Sequence, residues 1–166
     1  MKNSSIMSVF LLSLVLTLAT LAEPYHHPSG LFSFTPPPGW TKVKEEPNRV
    51  AFNAPDEAAT LQVSIHTSLL DPSGFNDKAY VAKLMSSFSG IGFSGTGTTK
   101  TKIGSIPALR LDMSGDKTSM GRARGFNIFG STHQGKRLAF MGMATVPVKG
   151  NHWVALENAA RSLRQK

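Results

Sequence analysis

The sequence predicts an α+β domain: an αβα sandwich whose central, mostly antiparallel sheet carries a helix on each face. Three observations carry that expectation. Short runs in which apolar and polar residues alternate recur along the chain, the mark of strands with one buried face. Two stretches, around residues 77–88 and 151–164, set apolar residues at helical spacing. Residues 136–146 are apolar on both alternating sets, a pattern that suits a central strand covered on both sides.

The elements follow in order. Residues 23–30 read as a polar lead-in, and Leu31-Phe32-Ser33-Phe34 opens the domain as a strand with both Phe on one face. Pro36-Pro37-Pro38-Gly39 has fixed φ values and no proline N–H donors, so it must break the sheet. Residues 40–44 resume extended structure, with Trp40 expected as a buried anchor, and Arg49–Asn53 follows a turn at residues 45–48. The clearest strand is 59–67, where Leu61, Val63 and Ile65 alternate with Gln62, Ser64 and His66. Beyond the loop Asp71-Pro72-Ser73-Gly74, a helix capped by Asn76 or Asp77 is expected to reach Phe88, with Tyr80, Val81, Leu84, Met85 and Phe88 on its apolar side.

Ser89-Gly90 stops that helix, and the Thr- and Gly-rich residues 92–102 are expected at a sheet edge, where Lys100 and Lys102 discourage pairing. Residues 106–113 turn Leu109, Leu111 and Met113 inward, and Gly115-Asp116 is expected to turn the chain. Residues 122–131 and 136–146 form a hairpin around residues 132–135. In its second strand Leu138, Phe140, Ala144 and Val146 share one face, and Ala139, Met141 and Met143 the other. The last helix aligns Trp153, Leu156, Ala160 and Leu163, with Arg161, Arg164 and Lys166 complementing its negative end.

Composition bounds the function. The only charge before Glu23 is Lys2, residues 6–18 are an apolar run, and Thr20-Leu21-Ala22 places small residues where a signal peptidase cuts. Residues 1–22 are therefore expected to be a signal peptide, 23–30 the lead-in and 31–166 one domain exported to the periplasm or beyond; an uncleaved anchor is the alternative. No further apolar run is long enough to span a membrane. The chain has no cysteine, which excludes thiol catalysis, Fe–S clusters, Cys-based zinc sites and acylation on Cys. Its 18 Lys and Arg against 10 Asp and Glu give +8. Scattered positive charge on an exported protein suits a protein or an anionic envelope surface as partner, rather than nucleic acid.

The ordered set of elements resembles a known superfamily. Gly30-Leu31-Phe32-Ser33-Phe34-Thr35-Pro36-Pro37-Pro38-Gly39-Trp40 is similar to the aromatic-strand, Pro-Gly-Trp opening of PsbP/Mog1p-like domains, which include bacterial DcrB-type exported proteins. The Phe52-Asn53-Ala54-Pro55 strand end, the strand around Leu61 and Ile65, Ile103-Gly104-Ser105-Ile106-Pro107-Ala108-Leu109-Arg110 and the closing hairpin and helix follow in the same order. The resemblance spans about residues 28–164. It implies the αβα sandwich and a mostly non-catalytic role in binding or assembly, with no shared catalytic motif and no cofactor. The lipid-bearing Cys of many bacterial members is missing here.

Several constellations bear on chemistry. Gly90-Ile91-Gly92-Phe93-Ser94-Gly95 matches G-x-G-x-x-G, but a helix precedes it and a strand follows, the reverse of the phosphate-binding arrangement. No G-x-S-x-G elbow is present and the carboxylates fall mostly in turns, so no enzyme is expected. The candidate partner-binding residues are Arg122 and Arg124 on one strand face, with Lys136 and Arg137 across the hairpin and Lys117 nearby. The alternative is a periplasmic metal or small-ligand carrier. It would use the adjacent His26 and His27, or the thioethers of Met141 and Met143 joined by Met113 or Met120, soft ligands that select Cu(I).

Overall fold

The computed structural model describes residues 22–66, 78–132 and 135–166. The expected signal peptide up to residue 21, the loop at 71–74, the caps Asn76 and Asp77, and His133-Gln134 lie outside the described residues. In chain order the first elements are β1 (Tyr25–His26), β2 (Phe32–Phe34), β3 (Thr41–Glu46), β4 (Arg49–Asn53), β5 (Ala59–His66) and α1 (Lys78–Ser89). Then come β6 (Ser94–Ile103), β7 (Ile106–Thr118), β8 (Gly121–Ser131), β9 (Arg137–Thr145), α2 (His152–Ser162) and β10 (Arg164–Gln165).

The sheet is antiparallel throughout, in the order β3-β4-β5-β9-β8-β7-β6. The doubly apolar β9 lies at its middle, paired with β5 and β8. Leu138, Phe140 and Ala144 are buried on one of its faces and Ala139 on the other, where Met141 and Met143 are half-buried. At one edge lies β6, as its Lys and Thr content predicted, and at the other lies β3.

Alternation divides the apolar residues into two clusters. The larger joins Leu61, Val63, Ile65, Phe126, Ile128, Leu138 and Phe140 to Leu156, Ala159 and Ala160 of α2. Within it Phe126 and Phe140 stack with centroids 5.8 Å apart, and Trp153 meets Phe126 edge-on at 5.3 Å. The smaller takes the alternate residues Leu109, Leu111, Met113, Phe129 and Ala139 together with Phe88 of α1. Val81, Leu84 and Met85 of α1 pack against it, as do Met120, Met141 and Met143.

Three expectations are corrected. Gly115-Asp116 does not turn the chain: β7 continues to Thr118 with a register shift between Gly115 and Thr118, and the turn falls at residues 119–120. Gly115 lies against the backbone of Gly92, a contact that only a residue without Cβ allows, so the bulge accommodates the loop after α1. Trp40 is half-buried rather than interior, its ring edge-on to His152 at 5.9 Å. The last helix ends at Ser162, because Leu163 is extended and Arg164–Gln165 pairs with β2. With β1 on the other side of β2, this makes a second, three-stranded sheet that buries Phe32 and Phe34 in the larger cluster. The lead-in thus contributes a strand.

Candidate binding groove

Beside the edge strand β6 the surface opens into a groove of about 910 Å³. Val81, Ala82 and Met85 of α1 form one wall, Thr98 and Lys100 of β6 the other, with Phe93 and Leu109 also lining it. The helix comes this close because Gly95 has no side chain: a Cβ there would collide with the Met85 thioether. A groove mostly apolar with a few polar groups at its rim is the usual form of a binding site.

The register of β6 decides what its free edge offers. Gly104 takes φ +59° at the first central position of the two-residue turn to β7, the position a type II′ turn reserves for glycine. Ile103 and Ile106 close that hairpin as a hydrogen-bonded pair, so Thr101↔Ala108 and Thr99↔Arg110 are the next such pairs. The alternate residues Thr98, Lys100 and Lys102 therefore direct their backbone N–H and C=O groups away from the sheet. Among the described residues no strand pairs with this edge. The side chains of the same three residues share the face of Leu109 and Leu111, over which α1 packs.

Charge is one-sided here. From Lys78 to Leu111 the chain has five basic residues and no Asp or Glu. The opposite edge differs: β3 carries Glu45 and Glu46 among Lys42 and Lys44, tied up in ion pairs with Lys42, Lys44 and Arg49. Hydrogen bonds from Lys44 and Arg49 hold Glu46 below the usual carboxylate range, and those from Lys42 and Tyr25 do the same for Glu45. Partial burial, and then the Glu45 carboxylate, push the Tyr25 hydroxyl upward.

The basic residues expected to form one patch are divided. Arg122 and Arg124 lie on the face of Phe126: Arg122 pairs with Asp116 at 3.2 Å, and Arg124 lies 3.8 Å over the Trp153 ring. Lys117 lies in the bulge of β7, near the Arg122 end. Arg137 pairs in register with Ser131, seven residues along β8 from Arg124, which is about 23 Å at strand rise. It projects to the opposite face and is only 3% exposed, with Lys136 beside it in the turn. Strand alternation separates these pairs, which sequence adjacency across a hairpin does not reveal.

The metal candidates are also apart. His27 is buried; its Nε2 donates to the Glu46 carbonyl at 2.9 Å and its Nδ1 lies 2.6 Å from Ser29 Oγ, so both ring nitrogens are engaged. His26, one residue earlier in the strand, projects the other way and is exposed. Met141 and Met143 are half-buried against the smaller apolar cluster with Met120, and Met113 is buried within it. Among the described residues no three His, Cys, Asp or Glu side chains group as metal ligands.

A polar set that the sequence did not point to fixes α2 on the sheet. Arg110 donates to Asp112 at 2.8 Å and Glu157 at 3.0 Å, and lies 4.2 Å over the Phe126 ring. Burial acts to lower its guanidinium, and the hydrogen bonds to the two carboxylates outweigh burial and hold it above its ordinary value. Near the start of α2, His152 Nε2 lies 2.9 Å from Asp56 Oδ1.

No family model matches the sequence. No curated protein matches it either. Solved structures do. Cyanobacterial PsbP (CyanoP) from Synechocystis superposes with TM-score 0.64 at 14% identity, over 90% of this chain and 96% of that one. The Ran-binding protein Mog1p of Saccharomyces cerevisiae gives 0.58 at 7%, over 86% and 94%. LpqN of Mycobacterium tuberculosis, described as involved in cell envelope biogenesis, gives 0.58 at 16%, over 87% and 90%. The chain spans about half, 49%, of a longer Bacteroides thetaiotaomicron structure that it matches at 0.59 and 12% identity. The chain has the PsbP/Mog1p-like fold.

Proposed function

We propose that this protein is a non-catalytic binding or assembly module that works outside the cytoplasm, holding a protein partner in the groove between α1 and β6. The observation that carries this reading is the coincidence of an apolar groove with an open strand edge. Main-chain groups there supply affinity and the groove supplies selectivity. That one structural neighbour is a Ran-binding protein and another is involved in envelope biogenesis supports a binding role. The two apolar clusters, one with residues of each helix, support a helix on each face, with α1 as the one that shapes the site. The leader-like residues 1–22 support export.

The experiment is in-cell photo-crosslinking with the full chain. A crosslinker at Thr98 is expected to capture one protein that the same crosslinker at Val43, on the opposite edge, does not. Identical adducts at both positions, or none at either, would contradict the reading.

A further inference from the structure

We infer that β6 takes up an extended, acidic segment of the partner protein as an eighth strand of the sheet. The inference rests on the binding-module reading and adds the chemistry of the partner. Thr98, Lys100 and Lys102 present their outward N–H and C=O groups every second residue, about 6.8 Å apart, the period of an incoming antiparallel strand. An acyl chain would leave those main-chain groups without partners. An extended peptide uses all of them.

Side-chain chemistry then selects the strand. On the groove side an incoming residue meets Lys100 or Lys102 across the new pairing, so Glu or Asp is favoured and Lys or Arg is repelled. Opposite Thr98, on the same face, an apolar side chain reaches Val81 and Met85. On the other side Thr99 and Thr101 favour Thr or Ser.

A second copy of this chain is a poor occupant, because two β6 edges would bring lysines against lysines with no acid on either strand. The β3 edge is a poor alternative acceptor. It is six residues long against ten for β6, has a register shift between Lys42 and Lys44, and carries both signs of charge already paired.

The test uses the folded protein and two short synthetic peptides, Thr alternating with Glu, Glu and Val, and the same with Lys for Glu. Fluorescence anisotropy is expected to show the acidic peptide binding about tenfold or more tightly than the basic one, from two attractive pairs replacing two repulsive ones. Amide exchange should slow at Thr98, Lys100 and Lys102. Methylation of alternate peptide nitrogens should abolish binding, and the double variant Lys100→Glu/Lys102→Glu should reverse the preference. Both lysines are exposed, so this variant leaves the core untouched.

Equal binding of the two peptides, binding that survives methylation, or protection on β3 or α2 instead would overturn the inference. So would β6 protection by self-association without peptide, or by anionic vesicles where the acidic peptide gives none. A crosslinked native partner that leaves the β6 amides exchanging freely also overturns it, while the binding-module reading stands. Loss of the crosslinking result with the peptide result intact does the reverse.

Discussion

Single residues carry the sharpest consequences of this packing. Gly115 and Gly97 both lie in strands, yet a Cβ on Gly115 would strike the Gly92 carbonyl, whereas one on Gly97 meets nothing within 4 Å. Gly115→Ala is expected to cost about 1–3 kcal/mol in urea unfolding, as overpacking does, and Gly97→Ala far less. Equal costs would remove the bulge-against-loop account of β7.

His66 makes a different prediction. Partial burial, then the positive charges of Arg137 and Arg49, hold it below its ordinary value of 6.5, and Ser64 Oγ lies 3.0 Å from its Nε2. The unfolded chain therefore takes up this proton at a higher pH than the fold does, so stability present above about pH 6.5 is lost as pH falls below it. Glu45, Glu46 and Asp56 are held below their ordinary values and act at lower pH, outside that window. His66→Gln should flatten the fall in urea midpoint between pH 7.5 and 5.5; an unchanged slope would discount His66.

At the level of elements, the residues of α2 divide sharply by burial. Leu156 is fully buried against the sheet and Val154 is 58% exposed on the same helix. Leu156→Ala is expected to cost about 2–5 kcal/mol, and Val154→Ala to stay within about 0.5 kcal/mol. Loss of stability from both in similar measure would mean that α2 is not seated as described.

The same contrast explains what could be read from the chain alone. The strand Arg49–Asn53 and the doubly apolar β9 were readable, because period-two burial leaves its trace in local sequence. The two-residue strands β1 and β10 were not, since each is too short to show a period, and β10 exists only by pairing with β2 far away in the chain. The edge position of β6 was visible in its lysines. The groove was not, because Val81 and Met85 read as core until the helix is placed over Gly95. The acid-free run from 78 to 111 was the one signal that could have pointed to it. The single basic patch failed for the converse reason: neighbours across a hairpin look close in sequence but alternate between faces.

For the whole molecule, the parts form one asymmetric object: β3 closes one edge with paired charges, and β6 leaves the other open beneath a basic, half-apolar wall. Among the described residues no helix is long and apolar enough to cross a membrane. If residues 1–22 act as the leader their composition suggests, the protein recovered from the cell envelope should begin at Glu23 by N-terminal mass spectrometry, and an intact Met1 would contradict export by cleavage. The binding account is tested most directly by hydrogen–deuterium exchange on the complex with the captured partner. Exchange should slow across Ser94–Ile103 and the adjoining face of α1, and stay unchanged at Thr41–Glu46. Protection at β3 or along α2, with β6 exchanging as in the free protein, would contradict it.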